Sequence, residues 1–127
     1  MPWRGNRLQK KYRLKRREDF RKIFRVGRST ANREFVVYVF TRRSPGPVRF
    51  GMSVSKRVGN AVVRNRIKRI LKEICRAWIK DIPTNVDIVI IVRKPVAAMD
   101  FHQMKSSLRH VFSRAKLFTQ SPSSKGG

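Results

Sequence analysis

The sequence predicts an α+β or α/β sandwich, a small β-sheet with helices packed over it in one domain. Three observations carry that expectation. The runs at 35–40 and 86–92 are dense in β-branched and aromatic residues, whereas stretches beginning near residues 60 and 100 repeat their apolar residues at helical spacing. The chain has 127 residues, one ordinary domain's length, and 40% of it is hydrophobic with eight Phe, enough for a core. No unbroken apolar run approaches the roughly 20 residues of a membrane helix, and the basic N-terminus is not followed by the apolar segment of a secretory signal. A soluble, cytoplasmic protein is expected.

The elements follow in order. The first seventeen residues carry eight Lys or Arg and no acid, and their apolar residues are few and scattered, so residues 1–17 read as a mobile basic arm. Glu18 and Asp19 suit the positive start of a helix; Phe20, Ile23 and Phe24 give it an apolar face, and Gly27 ends it. In the strand at 35–40, Phe35, Val37 and Val39 face one way and Val36, Tyr38 and Phe40 the other. Ser44, Pro45, Gly46 and Pro47 form a turn, from which residues 50–55 are expected to return antiparallel as a hairpin. There Phe50, Met52 and Val54 line one side, and Gly51, Ser53 and Ser55 leave the other nearly bare.

Asn60 is the expected N-cap of the best helix in the sequence. Val63, Ile67, Ile70, Leu71, Ile74 and Trp78 form its apolar stripe, with Arg66 near the border beside Ile70. Pro83 stops it, and 86–92 follows as a buried strand. Asp100 caps a last helix, with Gln103 placed for a capping box and with Phe101, Met104, Leu108, Val111, Phe112 and Ala115 on one face. Residues 18–118 therefore read as a single domain, and 119–127 as a disordered polar tail.

The charge balance points to the partner. Thirty-two Lys and Arg against seven Asp and Glu leave a net +25, well beyond the magnitude of about 2–8 that solubility asks of a small domain. Such self-repulsion is relieved by a polyanion, and nucleic acid fits best. An anionic membrane is the competing partner, but the apolar helix stripes look committed to a core.

Protein-based catalysis finds little support. The two histidines, His102 and His110, are eight residues apart on a helix, pointing about 80° from each other. The carboxylates are scattered, Cys75 is a lone cysteine that excludes a disulfide framework and a multi-thiolate metal cage, and no glycine-rich phosphate loop occurs. No catalytic or metal-ligating residue is assigned.

Two constellations suit RNA. Lys56, Arg57 and Asn60 lead into a helix carrying Arg64, Asn65, Arg66, Lys68, Arg69 and Lys72; residues 56–80 hold nine basic residues and one acid, Glu73. A merely solvated face would intersperse acids for i,i+4 pairs, so phosphate contact is the favoured reading. The second is the face of Val36, Tyr38 and Phe40 beside Gly51, Ser53 and Ser55, a groove if Phe20 and Phe24 lie over one end. Pattern alone favours ordinary core for those two rings, with base stacking as the alternative.

The stretch at 49–69, RFGMSVSKRVGNAVVRNRIKR, resembles the signature of the bacterial ribonuclease P protein component. The resemblance extends over residues 13–118, through Glu18, Asp19, Phe20 and Phe24, then Gly27, Ala31, Asn32 and Arg33, and on to 88–94 and the closing helix. It implies a mixed sheet of about four strands with three helices in αβββαβα-like order, and a left-handed βαβ crossover against the usual hand. It further implies one protein bound per catalytic RNA, which removes the 5′ leader of precursor tRNA using Mg2+ held mainly by that RNA. On this likeness Lys56, Arg57, Asn60, Arg64, Asn65, Arg66, Lys68, Arg69 and Lys72 would dock on the catalytic RNA. Phe20, Phe24, Val36, Tyr38 and Ser53 would hold the leader, which reverses the pattern-only reading of the two rings. A structural ribosomal protein would explain the charge equally well but gives no reason for an aromatic groove.

Overall fold

A computed structural model describes residues 8–119. Three α-helices and four strands alternate as α1 (Arg17–Val26), β1 (Arg28–Ala31), β2 (Phe35–Thr41), β3 (Arg49–Ser53), α2 (Ala61–Trp78), β4 (Val86–Val92) and α3 (Phe101–Arg114). They build a mixed sheet in the order β1-β2-β4-β3, in which β4 runs antiparallel to β2 and parallel to β3.

The helices form where capping and periodicity place them. The Asn60 side chain accepts from the Val63 N–H at 3.0 Å, and α2 buries Ile67, Leu71, Ile74, Cys75 and Trp78. The capping box of α3 is complete: Gln103 N–H donates to Asp100 Oδ1 at 2.8 Å, and Asp100 N–H donates to Gln103 Oε1 at 2.9 Å. Glu18 and Asp19 lie in the first turn of α1, and Gly27 closes it with an N–H bond to the Ile23 carbonyl of 2.8 Å.

Strand pairing departs from the expected hairpin of the second and third strands. Residues 86–92 insert between them because that run is apolar on both faces, and only a central position buries both. The edge strand β1 has no apolar alternation to announce it. It is set by the turn before β2, where Asn32 Oδ1 accepts from the N–H groups of Glu34 and Phe35 at 3.0 and 2.8 Å.

One sheet face carries Phe35, Val37, Val39, Phe50, Ile88, Ile90 and Val92 into the main core with the apolar stripes of α2 and α3. The opposite face packs a smaller cluster of Leu14, Ile23 and Val89 under α1. The mobile arm expected over 1–17 needs correction from residue 8 onward. Leu8 is buried in the main core, a 3-10 turn spans Lys10–Tyr12, and the Leu14 N–H bonds to the Phe50 carbonyl at 2.8 Å. Two leucines spaced among charges carry no periodic signal, yet each fills a gap at the sheet margin. Residues 1–7 of that arm, and 120–127 of the expected tail, lie outside the described residues.

Candidate nucleic-acid interface

The register of β2, β4 and β3 fixes what α1 covers. Gly51 of β3, Val89 of β4 and Tyr38 of β2 form one row across the sheet. The helix lies along that row. A Cβ at Gly51 would stand 2.5 Å from Phe20 Cζ, Ile23 shares a cluster with Val89, and the Phe24 ring meets Tyr38 edge-on at 5.1 Å. Gly51 is therefore not open floor, as its small size suggested, but the socket of Phe20. Ser55 lies beyond the end of β3 and is exposed.

The neighbouring row, Val36, Ile91 and Ser53, is only partly covered. With the half-buried edges of Phe20 and Tyr38, and with Phe24 at 41% exposed, it forms a cleft with an aromatic wall and a low apolar floor. Phe20 serves both core and cleft, so the opposition between those two readings dissolves; Phe24 is the more open ring. All five expected cleft residues, Phe20, Phe24, Val36, Tyr38 and Ser53, come together on this face.

The connection from Ser53 to α2 begins at the cleft end of β3 and leads to the opposite sheet face, where the apolar stripe of α2 packs. Lys56 and Arg57 are exposed on that connection while Val58 is buried as an anchor. Along α2, Asn65 and Arg69 are exposed, and Arg64, Arg66, Lys68 and Lys72 are half-buried. These side chains are not equivalent. Arg66 donates to the Ala97 carbonyl at 3.1 Å and ties α2 to the 3-10 turn Lys94–Ala98, and Asn60 Oδ1 is committed to its cap. The Arg64 Nε is buried and has no hydrogen-bond partner among the described residues.

Sequence reasoning missed the ion cluster on the far side of α1. Asp87 is the one charged side chain fully buried among the described residues. Arg49 grips it with two bonds, Nε to Oδ1 at 2.9 Å and Nη2 to Oδ2 at 2.8 Å, and Arg42 Nη1 bonds Oδ1 from the other side. The hydrogen bond to Asp87 raises the Arg49 pKa further, against the opposing effect of burial. An acid inside an apolar strand was the available signal.

His102 and His110 are exposed; His110 Nδ1 stands 3.3 Å from Asn32 Nδ2. Cys75 is buried, and desolvation pushes its thiol pKa up. Among the described residues no group of three or more His, Cys, Asp or Glu could hold a metal ion.

Solved structures with this architecture are bacterial RNase P proteins. The Thermotoga maritima RNase P protein matches with a TM-score of 0.72 at 35% identity, covering 80% of this chain and 96% of that one. A Staphylococcus aureus RNase P protein, solved as a mutant with defective mRNA degradation activity, gives 0.80 at 42% identity over 84% of this chain and 90% of that one. The cleft and basic helix thus sit on the fold of bacterial RNase P proteins. Sequence agrees: the Ribonuclease P family model matches residues 8–116. The ribonuclease P protein component of Listeria monocytogenes is 46% identical over 115 residues, 91% of this chain and 97% of the relative. This chain belongs to the ribonuclease P protein-component family.

Proposed function

We propose that this chain is the protein subunit of a ribonuclease P ribonucleoprotein, a tRNA-processing endonuclease that removes the 5′ leader from precursor tRNA. The observation that carries the proposal is the presence of two unlike surfaces on one small domain, joined by the connection from β3 to α2. A half-open aromatic cleft suits unpaired bases, which stack on rings for about 1–3 kcal/mol each. A strongly basic helix packed on the opposite sheet face suits the phosphate backbone of a folded RNA.

The motif helix, from Arg64 and Asn65 to Arg69 and Lys72, docks on the catalytic RNA, with Lys56 and Arg57 reaching the same partner. Phe20, Phe24, Val36, Tyr38 and Ser53 receive the leader. One protein serves one RNA, and the particle works in the cytoplasm.

Mg2+ is assigned to the RNA, where it would activate water and stabilise the leaving oxygen. The protein offsets repulsion between two polyanions and fixes the leader. Reconstitution tests this: adding the chain to a bacterial ribonuclease P RNA should lower the Mg2+ concentration needed to process precursor tRNA. An unchanged Mg2+ requirement would contradict it.

One observation favours a second reading, nuclease action on mRNA. The Staphylococcus aureus relative was solved as a mutant defective in mRNA degradation activity. If this chain cleaves mRNA by itself, cleavage will survive rigorous removal of contaminating nuclease and disappear with a variant of its own residues.

A further inference from the structure

The helix α1 divides its sheet face in two, and the second half is chemically unlike the first. Beyond the row under α1 lies the row Phe40, Asp87 and Arg49. With Lys22, Arg42 and Arg43 it lines a pocket of about 420 Å3, separated from the aromatic cleft by the body of the helix. The cleft row holds no charge; this pocket gathers Lys22, Arg42, Arg43 and Arg49 against the acids Asp87 and Asp19. Two guanidiniums converge on the single Asp87 carboxylate, which leaves positive charge in excess at the pocket base. Arg49 spends Nε and Nη2 on Asp87, and its side chain remains 30% exposed with Nη1 making no hydrogen bond among the described residues. Arg43 at the rim is exposed and makes no hydrogen bond or ion pair among the described residues. Lys22 rests over the Phe40 ring at 4.9 Å, and Asp19 is the one acid at the rim.

We propose that this pocket is a second RNA site, taking a backbone phosphate on Arg43, Arg49 and Lys22 with a base stacked on Phe40. Forked guanidinium donors match phosphate oxygens, and Lys22 can move off the ring it covers to meet the phosphate while a base replaces it. Because α1 blocks the sheet floor between the two sites, the strand here is either leader that has passed around the helix or a segment of the catalytic RNA. The chemistry is the same for both.

The assignment to RNA rests on the proposed function, but occupancy by phosphate does not, and two measurements separate them. In the first, the full chain is titrated with inorganic phosphate while the arginine Nε–H signals are followed by NMR. Arg43 and Arg49 should shift at lower phosphate concentration than the exposed Arg114. Equal response of all three overturns the site. In the second, the salt dependence of precursor binding by the reconstituted particle is compared for Lys22→Ala/Arg43→Ala and for the charge-matched Arg114→Ala/Lys116→Ala. Loss of the one single-strand phosphate contact should lower the slope of log K against log salt by about 0.7 for the pocket variant. A loss seen only with long leaders assigns the strand to the leader; a loss independent of leader length assigns it to the catalytic RNA. Equal slopes for the two variants overturn the assignment to RNA. Both pocket substitutions remove exposed side chains and leave the Asp87 ion pairs in place, so the fold survives them.

Discussion

Replacing Gly51 by Ala probes the contact on which the cleft is built. The added methyl would lie 2.5 Å from Phe20 Cζ, 2.8 Å from Phe20 Cε2 and 3.3 Å from Leu14 Cβ. Ordinary carbon contacts are about 3.5–4.0 Å, so the Phe20 ring must lift by roughly 1 Å or α1 must shift. Overpacking of this kind costs about 1–3 kcal/mol. The backbone itself gives no resistance, since Gly51 is outside the left-handed region, and the less flexible unfolded chain returns about 0.4–1 kcal/mol. A net loss of about 1–2 kcal/mol is expected as a lower urea midpoint with unchanged slope. Because the same ring walls the cleft, leader affinity should fall in parallel. A double-mutant cycle with Phe20→Ala identifies the cause: the pair should be less destabilised than the sum of its members by about 1 kcal/mol or more. Stability unchanged by Gly51→Ala, or strictly additive losses, would refute the close approach of Phe20 to the sheet.

Removing Asp87 as Asp87→Ala leaves two guanidiniums unpaired and should cost about 3–5 kcal/mol, read by chemical denaturation. Asn60→Ala deletes the α2 cap and should cost about 1 kcal/mol, with amide exchange accelerated first in the opening turn of that helix. Cys75, whose burial raises its thiol pKa, should resist a thiolate-directed reagent at pH 8 in the folded protein and react readily in urea. Ready alkylation of the native chain would place the thiol at the surface.

Much of this architecture was legible in the residues, and the exceptions have physical causes. The long helices announce themselves because apolar period and cap agree at Asn60 and at Asp100 with Gln103. The alternation of Phe35 to Phe40 gave the correct faces, since a period of two admits only one assignment once one side is buried. Strand order was not legible, because Phe50 and Met52 can pair with any apolar neighbour and only the burial of both faces of β4 selects the arrangement. The short β1 lacked a pattern, and Leu8 and Leu14 lacked a period. Alternation placed Val36, Tyr38 and Ser53 on the face they share, but the meaning of Gly51 required knowing that Phe20 reaches down to it from α1. Nor does spacing along α2 distinguish Arg66, bonded to the Ala97 carbonyl, from the exposed Asn65 and Arg69. Of the Asp87 cluster only the acid inside an apolar strand was legible; its arginine partners Arg42 and Arg49 lie far from it in the chain and show themselves only in three dimensions.

The central claim is that the aromatic cleft holds an unpaired leader. The most direct measurement is the affinity of the reconstituted particle for precursor tRNA and for mature tRNA, with the native chain and with Phe24→Ala. Phe24 is partly exposed, so its removal leaves the core in place. The account predicts that precursor affinity falls by about 1–3 kcal/mol, the stacking energy of one base, while mature tRNA binding is unchanged. Equal losses for the two RNAs, or none for the precursor, would contradict it.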